Sequence, residues 1–283
     1  MRIRVGPTTT AWEPLTPRGV AAYAGAPLGR LLATTLIVAA AVGATVIWFL
    51  ASVWFPTVGQ AIRQLPPQGE IRQAKLVWPG DSPVKLAGDR FLALTVDLNH
   101  EGELGHDADV CLEFGRGDVW AWSLAGYARL AYPADWVIAF NRSKLDPWWG
   151  AWEPVVLAAA GVAAGLALMV IGTLLAAVYA VPARLIGALA NRDLNWPRAW
   201  KLAVASLMPG ALMMVAGMIG YGTGLLDLVK LAVCTGLHLV VGWAYVAVSP
   251  LFLPPGPATS PRHKNPFAAP APPDDGAPPR RTR

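Results

Sequence analysis

Long apolar stretches alternate with shorter polar segments along this chain. Charged residues are missing from four stretches, which lie between Arg30 and Arg63, Glu153 and Arg184, Lys201 and Asp227, and Lys230 and Arg262. Each stretch is longer than the roughly 20 residues that a helix needs to cross about 30 Å of hydrocarbon. We therefore predict four transmembrane helices, over residues 31–54, 155–180, 202–222 and 229–250.

A cleaved signal peptide is the alternative for the first stretch, because the residues before it are basic. Its apolar run is too long for that role: Leu31 to Leu50 is continuous, whereas the apolar core of a signal peptide has roughly 7 to 15 residues. No small-x-small cleavage site precedes Pro56. We predict that the first helix is a retained membrane anchor.

The segment 55–153 has a different pattern, with short alternating runs separated by turn residues. In Phe91 to Leu98, the side chains of Leu92, Leu94 and Val96 fall on one face, as in a half-buried strand. The runs predicted as strands are 71–78, 91–98, 109–114, 119–124 and 136–140. The sequence thus predicts a membrane α-helical protein with a small, mainly-β domain, built as an antiparallel meander.

Composition and charge predict how the helices are oriented in the membrane. The chain is 54% hydrophobic and 14% charged, against roughly 25% charged in soluble domains. Residues 1–30, 181–201 and 251–283 hold thirteen basic and four acidic residues, whereas 56–153 holds nine basic and thirteen acidic ones. The positive-inside rule therefore predicts a bacterial inner membrane protein with both termini in the cytoplasm and residues 55–153 outside it. The net charge of +5 follows from this orientation, and no nucleic-acid partner is expected.

The two ends of the chain are predicted to lack stable structure. Residues 1–30 form a cytoplasmic leader with several prolines and glycines. Residues 251–283 form a proline-rich tail, which we expect to be disordered.

One polar loop has the residue types of a metal site. It contains four candidate ligands: His100, His106, Asp107 and Asp109. Their spacing matches no zinc or calcium motif, so a solvated hairpin loop is the favoured interpretation and metal binding the alternative. No cofactor is predicted.

The fourth transmembrane helix carries one weakly polar face, formed by Cys234, His238 and Tyr245 at helical spacing. An ionisable group inside a membrane suggests a function, such as proton relay or metal ligation. A histidine can also simply hydrogen-bond a neighbouring helix, and no second histidine or carboxylate lies deep in a span. We favour the structural role and keep the functional one open.

Several residues are predicted to anchor the helices at the membrane surface. The tryptophans are expected there because indole rings prefer the headgroup level. Asp227 is expected there because it can cap the fourth helix and pair with Lys230. The tryptophan anchors are Trp54, Trp148, Trp149, Trp152, Trp196 and Trp200.

The layout resembles a family of uncharacterised bacterial multi-pass membrane proteins that includes a maltodextrin-utilisation type. The resemblance rests on one anchor, an outside β domain and a group of C-terminal spans, and on the opening Pro67-x-x-x-Ile71-x-x-x-x-Leu76. Ala74 stands where the family pattern has a glycine. The resemblance implies the same topology and no site residues.

These patterns favour a non-catalytic membrane protein whose outside domain binds, senses or scaffolds another membrane or envelope protein. No nucleophile, base and orienting group can be assigned from a motif. The alternative is a transporter subunit or membrane-embedded enzyme that uses the face around His238.

Overall fold

The computed structural model describes residues 13–102, 104–105 and 107–255, and it consists of a helix bundle and a β-sheet domain. The helices are α1 (Pro17–Tyr23), α2 (Leu28–Phe49), α3 (Phe55–Gln64), α4 (Arg142–Leu189), α5 (Trp196–Gly222) and α6 (Leu228–Val248). A π-helical turn (Leu50–Trp54) joins α2 to α3, and a 3₁₀ turn (Ser249–Phe252) follows α6. The strands are β1 (Glu70–Arg72), β2 (Lys75–Val77), β3 (Val84–Gly88), β4 (Leu92–Val96), β5 (Val110–Phe114), β6 (Asp118–Ser123) and β7 (Gly126–Ala131).

Four helices are long and apolar enough to cross a membrane: Leu28–Gln64, Arg142–Leu189, Trp196–Gly222 and Leu228–Phe252. This agrees with the number and order of apolar helices predicted from the sequence. Two of them extend beyond the predicted spans into the β domain. Residues 55–64 are helical rather than part of the sheet, and α4 begins at Arg142 instead of at 155. The prolines at 147 and 154, which favour a helix boundary, lie inside α4.

The bundle is built around α5, which packs against α2, α4 and α6. Helices α2 and α4 pack closely at Gly43 and Gly161. A Cβ atom placed on Gly43 would lie 2.6 Å from the carbonyl oxygen of Gly161, so no side chain fits there. Small residues at a helix crossing allow close backbone packing where the surroundings are apolar.

The ends of the chain are more ordered than the sequence suggested. The predicted leader contains α1, in which Val20 and Tyr23 are fully buried against the bundle. The Tyr23 hydroxyl bonds the Thr34 hydroxyl at 3.0 Å, and the Arg192 guanidinium donates to the carbonyl of Leu253 at 2.7 Å. Residues 1–12 and 256–283, on which the rest of the leader and tail predictions fall, lie outside the described residues.

The main sheet has the strand order β3-β4-β5-β6-β7. The meander prediction is wrong at one position, because β4 and β5 are parallel while the other neighbours are antiparallel. A parallel pair needs a crossover, which residues 97–109 provide. The predicted strand 71–78 is instead the hairpin β1–β2, and 136–140 forms only one bridge, between Ile138 and Ile71. Sequence analysis missed β3 and β7.

One face of the sheet forms the core of the domain. Leu92, Leu94 and Val96 of β4 are buried there and pack against α3 and against Phe140. Because α3 continues directly from α2, the helix that leaves the bundle is also part of the domain core.

The domain is fixed to the bundle through the turn between β3 and β4. Phe91 packs edge-on against Tyr221 near the end of α5, with ring centroids 5.1 Å apart, and the Tyr221 hydroxyl donates to Asp109 at 2.9 Å. Arg90 donates to the carbonyl of Leu226 at 2.6 Å, in the turn between α5 and α6. The sheet domain therefore contacts the helix bundle directly.

We expect Gly43→Ala to destabilise the bundle, because the added methyl group must push the α4 backbone away. Overpacking of this kind costs about 1 to 3 kcal/mol. Thermal unfolding of the detergent-solubilised protein, followed by tryptophan fluorescence, measures the effect. Gly172→Ala on α4 is the control, since a Cβ there meets no atom within 4 Å. Equal melting temperatures for the two variants would contradict the proposed close contact.

Candidate functional site

The crossover between β4 and β5 lies over the sheet face opposite the core. Its Gly105 approaches this face so closely that a Cβ would lie 2.6 Å from the Cys111 sulfur. Across the sheet, Thr95, Glu113, Trp120 and Arg129 are consecutive register partners. The crossover and these side chains enclose the most polar buried region of the domain.

His100 is at the centre of that region. Its backbone has a φ of +58°, in the left-handed region that is uncommon for residues other than glycine. Its Nδ1 contacts Glu113 Oε1, and its Nε2 lies 2.8 Å from Asp118 Oδ1. Asp118 also accepts a hydrogen bond from Arg129. We call these four residues the His100 cluster, and it joins the crossover to β5, β6 and β7.

Three residues of the cluster are largely shielded from solvent, whereas Arg129 is exposed. The side chains of Glu113 and Asp118 are 1% and 4% exposed, and that of His100 is 16% exposed. The second carboxylate oxygen of Glu113 is buried and has no hydrogen-bond partner among the described residues. A buried carboxylate is costly unless it is paired, so a protonated His100 is the form that best stabilises this arrangement.

An aromatic stack adjoins the cluster. The ring of Trp120 stacks on that of His100 with centroids 4.2 Å apart, and Tyr127 also stacks on Trp120, at 5.1 Å. Trp122 continues this group of rings, 5.0 Å from Tyr127. The face therefore changes along β6 and β7 from charged, at Asp118 and Arg129, to aromatic, at Trp122 and Tyr127.

The charges of the cluster shift its titration. Burial lowers the pKa of His100, but the hydrogen bonds and charges of Glu113 and Asp118 outweigh burial and raise it above the ordinary value of 6.5. Burial raises the pKa of Asp118, but its bonds to His100 and Arg129 hold it below the ordinary value of 3.8. Both shifts favour the charged forms at neutral pH.

The predicted metal ligands are directed to separate partners. His100 belongs to the cluster, Asp107 forms a 3.0 Å ion pair with Lys85, and Asp109 accepts from Tyr221. His106 lies outside the described residues. Within the described part of the chain, no group of three or more histidine, cysteine or acidic residues could hold a metal ion. In the His100 cluster, the carboxylates bind different ring nitrogens and so do not converge on one point.

The outer edge of the sheet was missed by sequence analysis. All six residues of β7 are exposed, and its Leu130 is 74% exposed. The following segment exposes Trp136 and Val137 to a similar degree. Among the described residues, β7 pairs only with β6, which leaves its other edge open. Strand prediction relies on alternating burial, and β7 has none.

The weakly polar face of α6 is a helix-packing face. The Cβ and sulfur of Cys234 lie next to Gly217, and the backbone of His238 packs against Gly210, both on α5. His238 Nδ1 contacts the carbonyl of Thr235 in its own helix. The Tyr245 hydroxyl donates to the carbonyl of Leu15 at 2.5 Å, near α1.

The predicted surface anchors fall into two groups. Trp148, Trp152 and Trp196 are about half exposed, and Asp227 forms a 2.7 Å ion pair with Lys230 at the start of α6. The others are half-buried: Trp149 packs on Phe55, Trp54 packs on Phe49, and Trp200 donates to the carbonyl of Thr173.

We expect the folded protein to lose stability as the pH rises above about 6.5, because a group whose pKa is raised by folding stabilises the fold only while it is protonated. Asp118, whose pKa is lowered, loses its contribution at the acidic end instead. In His100→Gln the decline above pH 6.5 should disappear, and the melting temperature at pH 6 should fall by about 5 °C.

Melting curves between pH 5 and 9, read from tryptophan fluorescence, measure both quantities. Lys85→Gln is the control, because it breaks an exposed ion pair to the same crossover and should leave the pH slope unchanged. A wild-type pH slope in His100→Gln would contradict the assignment.

The chain matches no protein-family model, no curated protein and no solved structure. The resemblance to a family of bacterial multi-pass membrane proteins therefore remains a prediction.

Proposed function

We propose that this chain is a multi-pass inner membrane protein that spans the bilayer with four helices, holds its sheet domain outside the cytoplasm, and uses that domain to bind another envelope protein. The partner supplies an extended segment, which adds to the sheet along β7. The open, fully exposed edge of β7 is the observation that carries this proposal.

The membrane location is supported by the four apolar helices and their exposed surfaces. Helix α4 exposes a continuous series of large apolar residues: Val162, Leu166, Val170, Ile171, Leu174, Val178, Val181 and Leu185. In water such a surface would be unfavourable, whereas it suits lipid tails. The charge distribution supports the orientation, with the acidic sheet domain outside and the basic segments inside.

The edge of β7 suits strand addition because it lacks the features by which proteins protect such edges. The sequence of β7 contains no lysine and no proline, and its one charged residue, Arg129, is bound to Asp118. Exposed Leu130, Trp136 and Val137 lie along or just after the strand. In strand addition, main-chain hydrogen bonds provide affinity and apolar side chains provide specificity.

A binding role is favoured over catalysis because the candidate polar side chains already contact other groups of the protein. Both ring nitrogens of His100 are engaged by carboxylates, so neither is directed at a substrate. His238 and Cys234 pack against glycines of α5. These contacts support a scaffold more than a transport path or an active site.

We expect a photo-crosslinking amino acid at position 130 to form a covalent adduct with one defined envelope protein in living cells. The same group at Val77, which is 44% exposed on β2, is the matched control and should give none. Immunoblotting of the tagged chain after irradiation detects adducts. Leu130→Lys should reduce co-purification of that partner at least tenfold without changing the melting temperature, because a charge obstructs pairing but removes no buried contact.

Two results would contradict the proposal: equal adducts from both positions, or no adduct from position 130. Co-purification that is unaffected by Leu130→Lys would move the binding surface away from β7.

A further inference from the structure

We propose that the tip of the β6–β7 hairpin, residues 123–126, lies in the headgroup region of the outer leaflet and anchors the sheet domain to the lipid surface. This inference rests on the proposed membrane location of the bundle. The ligand is lipid, and the contact is separate from the protein partner assigned to β7.

The tip of the hairpin lies next to the start of α6. Leu124 and Ser123 line a groove of about 340 Å³ whose opposite wall is Asp227, Leu228 and Val229, the cap and first turn of α6. The hairpin tip is therefore a neighbour of the point at which the fourth apolar helix begins.

The length of α6 sets the depth of that point. The helix has 21 residues, which span about 31 Å, close to the roughly 30 Å of the hydrocarbon layer. Its first turn, at Leu228, therefore lies near the boundary between lipid tails and headgroups. Leu124, across the groove from this turn, lies at headgroup depth.

The strands of the sheet run away from that boundary. Phe91, immediately before β4, contacts Tyr221 at the end of α5, and Val110 of β5 bonds to Phe91. The parallel strands β4 and β5 thus start near the bundle, and β6, which is antiparallel to β5, ends there. The hairpin tip, at the end of β6, therefore lies on the side of the sheet that faces the bundle.

The chemistry of the tip fits lipid better than water. Leu124 is 62% exposed, and Leu225 in the adjacent α5–α6 turn is 80% exposed. The ten residues from 119 to 128 contain no charged side chain, although residues 123 to 128 are all exposed. The neighbouring crossover, in contrast, has acidic residues at 97, 101, 103, 107 and 109.

Aromatic residues next to the tip support the same placement. Trp122 and Tyr127 are register partners one step from Ser123 and Gly126. Their rings have a polar group on an apolar body, which is the property that concentrates tryptophan and tyrosine at membrane interfaces. The tip and this pair together resemble a small amphipathic wedge beside α6.

The test uses the full chain, reconstituted in phosphatidylcholine vesicles, with Cys111 and Cys234 replaced by alanine. A single cysteine is placed at position 124, 130 or 170 and labelled with the environment-sensitive fluorophore NBD. Position 130 is the matched control, because Leu130 is at least as exposed as Leu124 but lies four register steps, about 13 Å, further from the hairpin tip. Position 170 reports on the exposed apolar face of α4.

We expect lipids that carry a shallow nitroxide to quench the fluorophore at position 124 at least twofold more than the one at position 130. Position 170 should be quenched best by a deep nitroxide. Equal, weak quenching at 124 and 130 with strong quenching at 170 overturns the lipid anchor and leaves the membrane location intact. Weak quenching at 170 overturns the membrane location itself.

A second variant tests the energetic role of the contact. Leu124→Asp removes the apolar tip and adds a charge, but disturbs no buried side chain. In vesicles the variant should expose Trp122 to a more polar environment, so its tryptophan emission should be red-shifted relative to the wild type. In amphipol, where no bilayer is present, the two proteins should show no difference in emission. An identical red shift in both media would contradict a lipid contact.

Discussion

The attachment of the sheet to the ends of the helices is the contact on which the rest of the structure depends. The contacts that make it include the Phe91 ring against Tyr221, the Tyr221 hydroxyl bond to Asp109, and the Arg90 bond to the carbonyl of Leu226. The last one satisfies a main-chain acceptor in the turn between α5 and α6, where helix ends leave carbonyls unpaired. Because α2 continues through a π-helical turn into α3, and α3 packs in the core of the sheet domain, the domain is also joined to the bundle by a continuous helix. The β7 edge and the β6–β7 hairpin tip are consequently held in fixed positions relative to the helix ends.

The two faces of the sheet differ in their contacts. The apolar face packs on α3 in the core of the domain. On the other face, the crossover is held by His100, whose two ring nitrogens contact Glu113 and Asp118. The same cluster engages Arg129, the one charged residue of β7, through Asp118 of β6. The polar cluster therefore helps to hold β7 on the sheet.

Sequence reasoning captured the helices well and the sheet only in part. Four long charge-free stretches predict apolar helices because nothing else of that length and composition is stable in a bilayer. The helical extensions at 55–64 and from 142 were missed because these segments are polar and contain prolines. The crossover was interpreted as a hairpin loop because parallel pairing depends on contacts between distant residues, which a local pattern does not encode. The cluster of His100, Glu113, Asp118 and Arg129 was missed for the same reason, since only the fold brings these four residues together. For the tip of the β6–β7 hairpin, the sequence does contain one signal, which is the uncharged run at 119–128.

In the proposed topology the helices hold the sheet domain on the outer side of the membrane, and cysteine accessibility tests this orientation. In a chain without Cys111 and Cys234, one cysteine is placed at Ala134, in an exposed loop of the sheet domain, or at Leu189, at the exposed far end of α4. Intact cells are treated with a membrane-impermeant maleimide, before and after permeabilisation. The account predicts labelling of position 134 in intact cells and of position 189 only after permeabilisation. Labelling of position 189 in intact cells, or protection of position 134 until the cells are opened, would contradict it.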